Sequence, residues 1–343
     1  MTERIALVTG ATGFIATHLL PALSASGWHV RVSGRRPRPD DLSPDIDYQP
    51  ADLAGDDDLG PLLEGVTHVF HLAGASSSRS DEEEMLRTNV GGTERLLEAV
   101  SKAGTVERFL HMSTTAIYGE EVQLPSPVPE DVEPHPSRGY GKAKWGAEQA
   151  VWRASENGMP VVVLRPVSVH GPGATKLLAS AILDVAIERF AGHDRLPVPA
   201  EPIEQRLLHV EDLVGASLHL IDHEEAVGRA FNVVSGVYPT SHDVAGLLAD
   251  AFGMTVELDD DPDCGPSYDE RKQTWERMLD EGMRDDIIFT KERFRFMRKA
   301  NRNNQLSIEA LLGTGFRLQH ADLAQEVPAD IAWYREHRWI LGP

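Results

Sequence analysis

A chain of 343 residues with 41% hydrophobic residues is long enough for two domains, or for one large α/β domain with an appendage. Its net charge of −21 argues against nucleic-acid binding, because phosphates need basic patches. The single Cys264 excludes an intrachain disulfide and a thiolate metal cluster. With no apolar run near the ~20 residues of a membrane span and no signal segment, we expect a soluble cytoplasmic protein without a membrane partner.

The first predicted strand, residues 5–8, runs through a glycine-rich turn into a helix that includes residues 17–19. The turn has the spacing Gly10-x-x-Gly13-x-x-Ala16. Small residues let the backbone approach a phosphate, and the helix N-terminus presents free N–H groups and a positive dipole end to it. This order predicts a site for a dinucleotide pyrophosphate. Ala16 is expected to be a tolerated change at the position that packs the helix on the strand.

Strands and helices alternate through the first half of the chain. After the first strand we predict strands at residues 27–33, 47–53, 66–74, 106–112 and 160–165, with a long helix at 82–103. This alternation predicts an α/β fold with a Rossmann-type, doubly wound parallel sheet. Ligands then bind beyond the carboxyl ends of the strands.

The alternation changes after residue 171. We predict a helix at 176–190, a proline-rich loop at 196–202, a strand at 206–210, a helix from 211, a strand at 230–234 and a helix at 241–252. In the charged stretch 259–305, one helical stripe contains Tyr268, Trp275, Leu279 and Met283, which favours an amphipathic helix packed on the protein over a substrate lid or an oligomer contact.

These elements predict two domains. A dinucleotide-binding domain spans residues 1–170, and residues 206–235 return to it. A smaller C-terminal α/β substrate-binding region takes residues 171–205 and 236–343.

The end of the second predicted strand bears on the choice of cofactor. Arg35 and Arg36 stand where an NAD site usually has an acid for the ribose diol, and Asp40 is the first acid after them. Guanidinium groups favour a 2′-phosphate, so the sequence favours NADP(H) over NAD(H). Alternatively, both arginines are solvated loop charges. Asp52 and Leu53 end the third predicted strand and either border the adenine or form an ordinary turn.

Hydroxyl groups at 113–115 follow the fifth predicted strand, and Tyr140 and Lys144 are four residues apart on one helix face. A tyrosine with a pKa of about 10 is a poor base at neutral pH, and a nearby ammonium lowers that pKa. Tyr140 can then exchange a proton with a carbonyl or carbinol oxygen while hydride moves to or from a nicotinamide. Thr114 can hold the same oxygen by a hydrogen bond.

Taken together, these motifs resemble an extended short-chain dehydrogenase/reductase of the NAD-dependent epimerase/dehydratase family. The matching segments are residues 9–15, 52–53, 71–74, 89–93, 113–119, Tyr140 with Lys144, 164–166, 209–213, 315–317 and 331–334. The resemblance implies that Thr114, Tyr140 and Lys144 are catalytic. It also implies a nucleotide-diphosphate sugar substrate and a homodimer formed by helices 82–103 and 141–157.

The resemblance and the motifs give two sets of expected contacts. Cofactor contacts are expected at Gly10, Thr12, Gly13, Phe14, Ile15, Arg35, Arg36, Asp52, Leu53, Leu72, Ala73, Gly74, Asn89, Tyr140, Lys144, Pro166 and Val167. Substrate contacts are expected at Ser76, Thr115, Ser168 and Arg206, where Arg206 would pair with the pyrophosphate. No metal site is predicted: His219 and His223 have ligand-like spacing but no third ligand, and His170 is interpreted as a surface or turn residue.

Two departures from the family pattern narrow the expected reaction. Thr115 and Ala116 replace the Asp-Glu pair of the dehydratases, so dehydration is not expected, and Ser168 replaces a common asparagine. The main hypothesis is a NAD(P)-dependent ketoreductase or dehydrogenase acting on a secondary alcohol or ketone. The alternative is a nucleotide-sugar epimerase with transient oxidation by bound NAD, and a more distant one is a non-catalytic dinucleotide-binding sensor.

Overall fold

The computed structural model describes residues 4–40, 42–76, 81–295, 297 and 305–342. The chain divides into two compact units. The first unit comprises Met1–Val167, Val210–Val234 and Leu306–Arg317, and the second unit comprises Ser168–His209, Ser235–Gln305 and Leu318–Pro343. Among the described residues, no helix has the length and apolarity needed to cross a membrane.

The regular elements alternate along the chain. The strands are β1 (Ile5–Thr9), β2 (His29–Gly34), β3 (Asp47–Pro50), β4 (His68–His71), β5 (Arg108–Met112), β6 (Val161–Pro166), β7 (Ser168–His170), β8 (Arg195–Pro199), β9 (Leu207–His209), β10 (Arg229–Val233) and β11 (Thr255–Asp259). The helices are α1 (Phe14–Ala25), α2 (Glu82–Leu86), α3 (Gly92–Ala103), α4 (Gly139–Glu156), α5 (Leu178–Phe190), α6 (Val210–Ile221), α7 (Ser241–Ala251), α8 (Tyr268–Asp280), α9 (Glu309–Gly313) and α10 (Leu323–Glu336).

A seven-stranded sheet forms the centre of the first unit, in the order β10-β6-β5-β4-β1-β2-β3. Every pairing in it is parallel. β1 and β6 are nearly continuous apolar runs, as expected for a sheet covered on both faces, and Leu7, Val69, Phe109 and Val163 lie together in one buried cluster. The predicted Rossmann-type fold is confirmed.

The predicted helix at 82–103 is interrupted. It consists of α2, a π-helical turn at Arg87–Gly91 and α3. A π-helical turn inserts one residue into the helix and is frequent at functional sites. Here it contains Asn89, which is buried.

In the second unit, two pairs of parallel strands, β7 with β9 and β8 with β11, accompany α5, α7, α8 and α10. The predicted loop at 196–202 is wrong, because Arg195–Pro199 is a strand. Leu196 and Val198 alternate into the interior. Prolines are compatible with this strand because a two-stranded sheet leaves one edge of each strand without ladder bonds.

The predicted apolar stripe in 259–305 is only partly correct. The buried face of α8 consists of Arg271, Thr274 and Met278, while Tyr268 is 37% exposed. The face is rotated because Arg271 donates to the buried Asp184 of α5, with 2.7 Å between Nη1 and Oδ1. A buried ion pair, which the stripe of apolar residues does not reveal, therefore sets the orientation of this helix.

Candidate active site

The glycine turn after β1 has the geometry of an anion cradle. Gly10 has a φ of +75°, and a Cβ there would lie 2.9 Å from the backbone of Ala73. Gly13 is the N-cap of α1; no described side chain caps this end, and no acidic residue lies in its first turn. The first N–H groups of α1 therefore remain available to a phosphate. Ala16 is 1% exposed, so its methyl group is part of the helix–sheet packing.

A chain of hydrogen bonds joins the carboxyl ends of β1 and β4. His71 lies between Thr9 and Thr93, with 2.8 Å from Nδ1 to the Thr9 Oγ1 and 2.8 Å from Nε2 to the Thr93 Oγ1. Thr93 donates to the Asn89 carbonyl oxygen at 2.6 Å, so the Nε2–H of His71 donates to Thr93. Burial, together with the charge of Lys144, lowers the pKa of His71 to about 3. His71 is thus a neutral structural link.

The loop after β4 is held by Asn89. Its Oδ1 accepts from the Ala75 N–H at 2.6 Å, and its Nδ2 donates to the Ala75 carbonyl oxygen at 3.1 Å. Gly74 lies beside it: a Cβ there would be 3.1 Å from the Asn89 Oδ1 and 3.6 Å from the Lys144 Nζ. The expected cofactor residue Gly74 therefore borders Lys144, whereas Leu72 and Ala73 lie against the Gly10 turn. Ser76 ends this described segment, and residues 77–80 lie outside the described residues.

The three expected catalytic side chains lie together in the first unit. Thr114 follows β5 and caps a 3₁₀ turn, and Tyr140 and Lys144 lie in the first turns of α4. Gly141 lets the start of α4 lie close to this 3₁₀ turn, because a Cβ at Gly141 would be 2.7 Å from the Ala116 carbonyl oxygen. Burial raises the pKa of Tyr140, and a hydrogen bond with Thr114 opposes that rise. Without cofactor, the phenol is therefore protonated at neutral pH.

Lys144 is 5% exposed and donates to the Met112 carbonyl oxygen at 2.5 Å. Burial lowers its pKa to about 8, although the charge of Glu148 acts in the opposite direction. At pH 7 the ammonium form still predominates. The side chain thus brings a positive charge into a nearly dry environment, one helical turn from Tyr140.

A buried polar network lies next to Lys144. Glu148, which is 0% exposed, accepts from the Ser113 hydroxyl at 2.5 Å, from the Trp152 indole at 3.0 Å and from the Arg165 Nη2 at 2.6 Å. Arg165 also donates to the Tyr118 hydroxyl at 2.8 Å. No role is predicted for Glu148 from the sequence, although its spacing of four residues from Lys144 is a usable signal.

The residues expected near the adenosine end are at the surface or in turns. Arg35 and Arg36 are exposed after β2, and the Arg35 Nη1 is 3.9 Å from the Glu84 Oε1. The Asp52 Oδ1 accepts a hydrogen bond from the Ala54 N–H at 3.0 Å. This contact is the one expected if Asp52 forms an ordinary turn. Leu53 is buried at 8% exposure.

The four expected substrate residues divide between the two units. Thr115 is buried in the first unit and its hydroxyl is 3.4 Å from the Pro166 carbonyl oxygen, while Ser76 is partly exposed. Ser168 begins β7 and Arg206 directly precedes β9, so both belong to the second unit. Arg206 is partly buried.

The chain belongs to the NAD-dependent epimerase/dehydratase family, whose model matches residues 6–234. A GDP-6-deoxy-D-mannose reductase of Pseudomonas aeruginosa is 33% identical over 76% of this chain and 84% of its own length. A UDP-glucose 4-epimerase of Vibrio cholerae is 29% identical over 70% of this chain and 71% of its own length. The structure of MoeE5 with UDP-glucuronic acid and NAD has a TM-score of 0.72 at 25% identity and covers 97% of this chain and 99% of its own. The first two relatives are enzymes, one a reductase and the other an epimerase.

Proposed function

We propose that this protein reduces a ketone to a secondary alcohol on a nucleotide-diphosphate sugar, with NADPH as the reductant. The observation that carries the proposal is the grouping of Thr114, Tyr140 and Lys144 beside Gly74, in the same unit as the Gly10 cradle. The nucleotide-sugar class is supported by the related reductase and epimerase.

Tyr140 is the general acid of this reaction. The raised pKa of its hydroxyl keeps it protonated, so it can donate its proton to the carbonyl oxygen of the substrate. Thr114 donates a hydrogen bond to the same oxygen, and the Lys144 ammonium stabilises the phenolate that remains. Bound NADPH supplies the hydride that the carbonyl carbon receives. Solvent then returns a proton to Tyr140.

The test of this assignment is Tyr140→Phe, which removes the proton and keeps the ring. We expect ketone reduction to fall about 10²–10⁴-fold, the usual contribution of a general acid. Tyr268→Phe, at an exposed tyrosine in the second unit, is the matched control and is expected to keep full activity. Wild-type turnover by Tyr140→Phe would reject the role given to Tyr140.

The preference for NADPH is proposed from Arg35 and Arg36. Their guanidinium groups are exposed after β2, where a 2′-phosphate is expected in a Rossmann site. Replacing both by alanine is expected to weaken NADPH binding about 10–100-fold, equivalent to losing charged hydrogen bonds of about 1.5–3 kcal/mol, and to leave NADH binding unchanged. Arg195→Ala, at an exposed arginine of the second unit, is the control. An equal loss for both nucleotides would refute the preference.

The second candidate is an epimerase, which the related UDP-glucose 4-epimerase favours. An epimerase oxidises a carbinol and returns the hydride to the other face, so it needs a retained NAD and consumes no net cofactor. Denaturing the purified protein distinguishes the two candidates. Release of stoichiometric NAD supports the epimerase, whereas a nucleotide-free protein that consumes NADPH supports the reductase.

The homodimer that the resemblance implies is also a proposal. The apolar residues of α3 and α4 pack within the first unit, and that packing alone accounts for them. Sedimentation at micromolar concentration tests whether two chains associate.

A further inference from the structure

The second unit contains a cluster of histidines and carboxylates that the proposed reaction does not use. β7 and β9 are paired in parallel so that His170 is the register partner of His209, at the last residue of each strand. The centroids of their imidazole rings are 5.2 Å apart. On α10, Glu326 and Asp330 are four residues apart and lie on one helix face. A strand pair and a helix thereby bring two imidazoles and two carboxylates together.

The spacing of the potential ligand atoms fits a metal ion. The ligand atoms of His170, His209 and Asp330 all lie within 4.8 Å of one another. The His170 Nδ1 is 2.9 Å from the Asp330 Oδ2, and the His209 Nε2 is 3.8 Å from the Asp330 Oδ1. Metal–ligand bonds of about 2.0–2.2 Å place tetrahedral ligand atoms about 3.3–3.6 Å apart, within the range spanned by these distances.

Burial and an unsatisfied oxygen make this cluster unlike a surface group of polar residues. His170, His209 and Asp330 are 2%, 5% and 1% exposed. The Asp330 Oδ1 is buried and has no hydrogen-bond partner among the residues that the structure describes. A buried carboxylate oxygen in that state is costly unless a donor or a cation satisfies it. The sequence interpretation of His170 as a surface or turn residue is therefore wrong.

We propose that His170, His209 and Asp330 bind a divalent transition-metal ion of the zinc type. Glu326 lies beside this group, with its Oε2 3.6 Å from the His209 Nε2, and forms a second, overlapping group with His209 and His320. His320 supports Glu326 from outside, with 2.9 Å between its Nδ1 and the Glu326 Oε1, and its ring stacks on His209 at 4.7 Å. These three protein ligands and a water molecule would complete a tetrahedral site, and the buried ion would fasten α10 to the β7–β9 pair.

The experiment uses the untagged full-length chain, since a polyhistidine tag binds the same metals. The protein is produced with zinc in the medium, desalted and analysed for metal. We expect about one zinc per chain. After removal of zinc with a chelator, we expect the midpoint temperature of thermal unfolding to fall, and to return to its first value when zinc is added. Titration with Co²⁺ is expected to produce the visible absorption of tetrahedral cobalt.

Substitutions locate the metal. His209→Gln and Asp330→Asn are expected to abolish the cobalt absorption, and Glu326→Gln is expected to weaken metal binding about 10–100-fold. His242→Gln is the control, because His242 is a partly buried histidine of the same unit that donates to the Pro199 carbonyl oxygen. If a variant fails to fold, the wild-type cobalt titration still decides. A wild-type chain with no metal and no cobalt absorption overturns the proposal. Cobalt binding by His209→Gln and Asp330→Asn that equals the binding by the wild type also overturns it.

Discussion

Replacing Lys144 by methionine is expected to stabilise the protein at neutral pH even though it removes an expected catalytic group. Methionine has a similar length and no charge to desolvate. Burial lowers the pKa of Lys144 from 10.5 to about 8. This corresponds to about 3 kcal/mol, at about 1.4 kcal/mol for each tenfold change in proton affinity. Losing the hydrogen bond to the Met112 carbonyl oxygen costs about 1 kcal/mol. The expected net gain is about 2 kcal/mol at pH 7.

The pH dependence of this gain has a defined sign. Between pH 8 and pH 10.5 the unfolded chain binds a proton at Lys144 that the folded chain does not bind. The penalty on the folded wild type is therefore complete below about pH 8 and disappears as the pH rises to about 10.5. Lys144→Met should be more stable than the wild type at pH 7, and slightly less stable near pH 10.5, where only the lost hydrogen bond remains.

The assay is urea unfolding of the cofactor-free protein at several pH values, followed by fluorescence. Lys102→Met is the control, because the Lys102 side chain is 74% exposed and its removal should change stability little at any pH. Ketone reduction is measured in parallel and should be lost in Lys144→Met alone. A stability difference that does not change with pH, or a wild type that is more stable at pH 7, would refute the reasoning.

Three further substitutions test the interior of the first unit. Glu148→Gln leaves Arg165 buried without its counter-ion, so urea unfolding should show a loss of about 3–5 kcal/mol, while the double change Glu148→Leu with Arg165→Met should recover most of it. His111→Leu removes two buried ring nitrogens that have no hydrogen-bond partner in the described part of the chain, and the same assay should show a gain of about 1 kcal/mol. Gly10→Ala adds a Cβ at a φ of +75° and 2.9 Å from the Ala73 backbone, so it should destabilise the turn by more than about 1 kcal/mol and weaken nucleotide binding measured by fluorescence titration.

Each of these has a contrary outcome. If the double variant is no more stable than Glu148→Gln, the ion pair of Glu148 and Arg165 stabilises the fold by more than neutralising its own two charges. A destabilised His111→Leu would indicate a partner for His111, such as a bound water. An unaffected Gly10→Ala would show that the turn relaxes away from β4.

Much of the first unit could be predicted because its signals are local. The run 5–8, the glycines that follow and the four-residue spacing of Tyr140 and Lys144 each depend on a few neighbouring residues. The order of these motifs along the chain then indicated the family and the parallel sheet. The strand ends were less predictable. The third strand was predicted to reach residue 53, but it ends at Pro50, and the chain then turns where the Asp52 carboxylate accepts a hydrogen bond from the Ala54 N–H.

The contacts that were missed join residues far apart in sequence. Arg271 lies 87 residues from Asp184, and His170 lies 160 residues from Asp330. No local period of apolar residues records such a pair, so the buried face of α8 was predicted one position away and His170 was assigned to the surface. β8 was missed for a local reason, since its prolines disguised the alternation of Leu196 and Val198.

The buried polar groups of the first unit are concentrated where its chemistry is expected. His71 and His111 are register partners on β4 and β5. Burial lowers the pKa of both imidazoles, and the charge of Lys144 lowers it further. Glu148 lies one turn beyond Lys144. Apolar residues of similar volume would form a more stable core at these positions. The unit instead places an ammonium, a carboxylate and two neutral imidazoles there, so the expected catalytic site is built at the expense of stability.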